Sequence, residues 1–118
     1  MSISTALNFS HTFRDGVLIL ELKGAVDSAL ALEPVIELSV KSPATDVVVV
    51  ISDVDYINSA GFSALIRMAE ALDEQQKNIY LVGLQSKVHL VFDSIGAHSV
   101  FNVLPTLDAA FAAIKAKP

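Results

Sequence analysis

The sequence predicts an α/β domain: a mixed, mostly parallel sheet with an N-terminal antiparallel hairpin and about four helices. Three observations predict it. Two strand-like segments near the start are separated only by Arg14-Asp15-Gly16, and an Asp-Gly pair favours a tight hairpin. Val47 to Ile51 is a run of β-branched residues whose apolar character does not alternate, as in a strand covered on both faces. Beyond that run, apolar residues spaced three and four apart alternate with short apolar runs. Such alternation with short links implies parallel strands joined by right-handed crossovers.

Each element follows from local chemistry. Ala6 to Phe13 and Val17 to Gly24 read as the antiparallel pair. Leu32, Ile36 and Val40 have helical spacing, but Pro34 would clash and lose a hydrogen bond anywhere except a first turn. That helix therefore starts near Leu32 or Glu33, leaving Asp27 and Ser28 in a loop. Pro43 and Ala44 end it, and Asp46 opens the innermost strand, Val47 to Ile51. A polar turn is expected at Ser52, Asp53 and Asp55, followed by a helix with Phe62, Leu65, Ile66, Ala69 and Leu72 on one face. Asn78 breaks that pattern, and Ile79 to Leu84 reads as another buried strand. Ser86 is placed to cap a helix carrying Val88, Val91, Phe92 and Ile95, with Gly96 as its left-handed stop. A short strand at Val100 to Val103 follows. Pro105-Thr106 then opens a last helix with Leu107, Ala110, Phe111 and Ile114 inward. No linker or repeat divides the chain, so residues 1–118 are expected to form a single domain.

Composition narrows the function. At 118 residues and 53% hydrophobic, the chain has material for one core. A formal charge of −5 and no Lys/Arg cluster argue against nucleic acid, which needs a basic stripe, and favour a basic protein partner. There is no cysteine, hence no disulfide framework and no thiolate chemistry. No apolar run approaches the roughly 20 residues that span a bilayer, and MSISTALNFSHTF lacks a basic start and a continuous apolar block. A soluble, cytoplasmic protein with no membrane association is expected.

The chemistry concentrates at Asn58-Ser59-Ala60-Gly61, the joint between the innermost strand and the helix after it. Asn58 and Ser59 are both good N-cap residues, and Gly61 in the first turn is expected to leave the backbone open to whatever approaches. If Asn58 is the cap, Ser59 is free to point outward. If Ser59 is the cap, it need do nothing else. In an open α/β sheet, partners meet the loops beyond the carboxyl ends of the strands, here the loop at Asp27, the stretch from Ser52 to Gly61 and the loop from Leu84 to Lys87. Asp27, Asp53 and Asp55 are either turn residues or part of that surface, and Ser63, Arg67, Glu70 and Glu74 form either a solvated helix face or a docking face. Enzymatic readings find little support. A nucleophile elbow needs Gly two residues before the serine, where Ile57 stands. His11, His89 and His98 lack metal-ligand spacing, and Gly83-Leu84-Gln85 is too sparse for a phosphate loop, so neither a metal nor a cofactor is expected.

The series Val54, Tyr56-Ile57, Asn58-Ser59-Ala60-Gly61-Phe62, between a hydrophobic strand and an amphipathic helix, resembles the signature of STAS domains of the bacterial anti-sigma-factor antagonist type. Gly24-Ala25-Val26-Asp27 matches that family's Gly-x-x-Asp, and Val88 through Val103 its third helix and last strand, so the resemblance spans nearly the whole chain. The family most often has Asp where this chain has Asn58. The resemblance implies that Ser59 is phosphorylated by a partner that is both serine kinase and anti-sigma factor, or is a related regulatory ATPase domain. ATP and metal would be supplied by that partner, and a cognate phosphatase would reset the switch. Taken together with the strand-end loops and the outer helix face, it leads to a partner surface at Asp27, Asp55, Asn58, Ser59, Ala60, Gly61, Ser63 and Arg67. The alternative, which Asn58 keeps open, is a scaffold or ligand-sensing STAS module that is never phosphorylated; a hydrolase is a third and weaker reading.

Overall fold

Asp15 and Gly16 both take positive φ, 53° and 78°, the conformation a two-residue hairpin turn requires, and fold strand β1 (Asn8–Arg14) back onto β2 (Val17–Val26) with Arg14 opposite Val17. The structure, a computed structural model, describes residues 7–28, 30–94 and 101–117. β2 pairs in parallel with β3 (Asp46–Ile57), β3 with β4 (Asn78–Val82) and β4 with β5 (Asn102–Leu104). The five strands therefore lie in chain order, β1-β2-β3-β4-β5.

That order decides where the helices go. Each parallel crossover steps in the same direction across the sheet, so the right-handed rule puts α1 (Glu33–Lys41), α2 (Ser59–Glu74) and α3 (Ser86–Ser94) on one face. Their buried residues, among them Val35, Leu65, Met68 and Phe92, share a core with Leu18, Leu20, Val47, Val49 and Leu81. α4 (Leu107–Lys115) follows the last strand and covers the other face, where Ala110 and Phe111 pack on Val17, Ile19, Val48 and Tyr80. β3 is thus covered on both sides, as its unbroken valine run predicts. The α/β class, the mixed sheet, the hairpin and the four helices all agree with the sequence reading.

Several boundaries differ. β3 continues through Ser52, Asp53 and Asp55, where a polar turn was expected. Val54 is buried between exposed Asp53 and Asp55, so the strand keeps an inward anchor while its polar side chains reach water. The register against β2 slips twice over this stretch, and the extra residues bulge from β3. β2 runs to Val26 rather than Gly24, and β4 stops at Val82 because Gly83 turns to φ 79° with no room for a Cβ against Ser52. Ser86 is the first residue of α3 and not its cap, since the His89 N–H donates to the Gln85 carbonyl at 2.8 Å. Pro34 sits in the first turn of α1, and the Thr106 hydroxyl caps α4 by accepting from the Ala109 N–H at 3.1 Å. Ala6, Ile95, Gly96, His98 and Val100 lie outside the described residues.

Candidate functional site

Asn58 is the residue on which the joint is built. Its backbone is extended, and its side-chain Oδ1 accepts from the Gly61 N–H at 2.9 Å, closing the N-cap of α2. Its Nδ2 donates to the Asp27 carbonyl at 3.0 Å, and its own N–H points at the Val26 carbonyl at 3.4 Å. Its carbonyl accepts the first bond of the helix, from the Phe62 N–H at 2.8 Å. The end of β2 and the start of α2 are therefore joined through one amino acid.

Ser59 is the first residue of the helix and is exposed. Because Asn58 supplies the cap, the Ser59 hydroxyl is not used for it, and no hydrogen bond engages it among the described residues. The first N–H groups of any helix lack partners within it. Here Gly61 and Phe62 are satisfied by Asn58, while the N–H groups of Ser59 and exposed Ala60 remain open to solvent among the described residues. The positive end of the helix dipole adds a modest preference for negative charge at this corner.

Gly61 departs from its expected role. It is buried, and a Cβ there would lie 1.8 Å from the Val26 carbonyl oxygen. Glycine is needed because the helix starts against the strand's backbone, so this residue lies beneath the exposed corner rather than opening the backbone to an incoming molecule. Ser63 lies one turn beyond Ser59 and Arg67 two turns beyond, both exposed and on one helix face. Arg67 Nη2 is 3.6 Å from Glu33 Oε1 at the start of α1, so this face borders the first helix. Asp27 enters the site through its carbonyl, with its carboxylate exposed, and Asp55 is exposed on the bulged part of β3.

Two exposed apolar residues near the ends of these strands were missed by sequence reasoning: Tyr56, 53% accessible, and Leu30, 76% accessible. Leu30 carried a signal, because it falls outside the helical series Leu32, Ile36, Val40. Tyr56 carried none. It shares the phase of buried Val54, and only the bulge at Asp55 turns it outward.

Three clefts of about 260, 290 and 220 Å³ lie away from this corner. They are lined, respectively, by residues such as Glu70, Lys77 and Asn102; by Leu84, His89 and Pro105; and by Asn8, Lys23 and Asp53. The Ser59 corner is therefore an exposed edge and does not line these concavities.

Residues 8–110 match the family model described as the STAS domain. A Bordetella bronchiseptica protein, BtrV, named as a candidate anti-sigma factor antagonist, is 37% identical over 103 residues, covering 86% of this chain and 89% of that protein. The chain belongs to the STAS family, with the anti-sigma-factor antagonists. Solved structures agree on the STAS fold. An anti-sigma factor antagonist from Mycobacterium paratuberculosis superposes with TM-score 0.80 at 22% identity, covering 98% of this chain and 99% of that one. A sulfate transporter family protein from Wolinella succinogenes superposes with TM-score 0.74 at 20% identity over 88% of each chain. The STAS fold is thus shared by proteins of differing names, and the site has to carry the functional argument. Among the described residues, no helix of this STAS domain is long and apolar enough to cross a membrane.

Proposed function

We propose that this STAS domain is an anti-sigma-factor antagonist that binds an anti-sigma serine kinase, or a related regulatory ATPase domain, and is released from it by phosphorylation of Ser59. The observation that carries the reading is the division of labour at the joint. Asn58 does the capping, so the adjacent hydroxyl is exposed at the helix N-terminus and has no hydrogen-bond partner among the described residues. A kinase can reach such a hydroxyl without unfolding the helix.

Magnitudes support a release switch. A phosphate adds roughly −1.5 to −2 charges, and the helix N-terminus offsets about 0.3 to 1 kcal/mol of the cost, or ~2 where partly buried. The free domain therefore accommodates the phosphate. A partner that covers the corner without complementary charge has to dry that ion, at a cost of several kcal/mol. At about 1.4 kcal/mol per factor of ten, a penalty of about 3 kcal/mol weakens the complex more than a hundredfold. An exposed corner also suits a protein surface better than a small molecule, which needs a concavity to bury it. On this reading the domain is a kinase's substrate and not itself an enzyme, and it works in the cytoplasm with neither nucleic acid nor membrane as partner.

The test is incubation with candidate anti-sigma kinases of the same organism and ATP, followed by mass mapping. One phosphate on Ser59, absent from Ser59→Ala, is expected. Phosphate on another serine, or none with any candidate, overturns the reading in favour of a STAS scaffold.

A further inference from the structure

We infer that Asn58 is a positioning residue which holds the loop after β2 and the start of α2 as one preassembled partner surface, and that this requires a carboxamide. The inference deepens the proposed function and rests on it for its binding half. The cap alone would not call for asparagine. Serine, aspartate and asparagine all cap well by accepting from the N–H two or three residues on. What distinguishes Asn58 is the other end of its side chain, where Nδ2 donates to the Asp27 carbonyl at 3.0 Å while Oδ1 holds the Gly61 N–H at 2.9 Å. Of these three, only asparagine offers an acceptor and a donor on one planar group near neutral pH. An aspartate in the same rotamer would keep the cap and place a second acceptor against the Asp27 oxygen, turning attraction into repulsion.

The bond matters because of what it tethers. Residues 27 to 32 connect β2 to α1, and within that loop the Ser28 carbonyl and hydroxyl both accept from the Ala31 N–H, at 3.3 and 3.2 Å. Those contacts are local to the loop. Asn58 instead reaches across 31 positions in sequence to the loop's first residue, from the residue that precedes Ser59. With the tie in place, exposed Asp27 and exposed Ser59 are held at a fixed separation before any partner arrives, and binding need not order them.

The test uses the full chain, unmodified, with Asn58→Ser and Asn58→Asp. Serine keeps an uncharged cap without reaching Asp27, which separates loss of the donor from gain of a charge. Hydrogen exchange of peptides covering residues 26 to 32 is expected to quicken about fivefold to tenfold in both variants, the size of one lost net hydrogen bond, while the distal half of α2 is unchanged. Affinity for the anti-sigma partner is expected to fall by a similar factor, about fivefold to tenfold, in Asn58→Ser, with the dissociation midpoint shifted and the melting curve nearly unchanged. Unaltered loop exchange in both variants overturns the proposal, because Asn58 is then a cap only. Faster loop exchange with unaltered affinity overturns its functional half. The exchange arm needs neither kinase nor phosphate, so it can succeed even if Ser59 proves not to be the modified residue.

Discussion

The two ends of the sheet differ in which polar groups they leave untied. At the end where the parallel strands begin, polar groups are tied to one another. Lys77, just before β4, donates to the carbonyls of Ser39, Val40 and Ser42 and so closes the C-terminus of α1. Asp46, at the start of β3, accepts from the Asn78 amide and from Lys117 beyond α4, and the Lys117 ammonium also lies over the Tyr80 ring. At the end where the strands finish, the Ser59 hydroxyl and two helix N–H groups are bound to nothing among the described residues, and Tyr56 and Leu30 are exposed. One end holds the helices in place, and the other is the end that, on the proposed function, a partner covers.

If that division is right, changes at the tied end and beneath the open corner alter stability, whereas changes on the corner itself alter binding. The largest effect is expected for Gly61→Ala. Its new methyl meets backbone, which cannot rotate away, so about 3 kcal/mol of stability is expected to be lost in a denaturant titration. Next comes Lys77→Met, which keeps the aliphatic stem but leaves the α1 carbonyls without their ammonium. A loss of about 2 kcal/mol is expected by the same titration, with partner affinity unchanged. Gln76→Gly should act in the other direction. Gln76 takes φ 58° behind α2, where the Gln76 and Lys77 N–H groups bond back to Asp73 and Leu72, and glycine relieves that left-handed strain by about 0.5 to 1 kcal/mol, seen as a higher melting temperature.

The smallest effect concerns pH. Burial works to lower the pKa of Lys117, but its hydrogen bond to Asp46 and the proximity of Tyr80 together leave it raised above the ordinary 10.5. A raised folded-state pKa means that the contribution is complete below the unfolded value and is lost as pH rises through the folded one. Lys117→Ala should therefore cost only about a few tenths of a kcal/mol near neutrality, because the pair is partly exposed. The difference from the wild type should vanish in melts above the ordinary lysine range.

The contrast between the two ends was only partly legible in the sequence. The hairpin, the valine-rich central strand and the helical spacings follow from periods of two and of about 3.6, which are local properties. That either Asn58 or Ser59 caps the helix is legible in the same local way, from residue type. That Asn58 also reaches the Asp27 carbonyl is a contact 31 residues distant that no window displays. The burial of Gly61 has the same origin, since its neighbour is the backbone of Val26. The polar stretch Ser52 to Asp55 looked like a turn because Ser and Asp are turn residues, whereas Val54 was the sign that the strand continues. Tyr56 faces outward because of a bulge, and bulges are set by pairing with a neighbouring strand.

The central claim is that the Ser59 corner is covered by a partner and that a charge there drives the partner off. It is tested most directly by titrating the anti-sigma partner calorimetrically against unmodified and Ser59-phosphorylated protein with matching melting curves. The account predicts that the phosphorylated form binds more than about a hundredfold more weakly. Equal affinity of the two forms would contradict it.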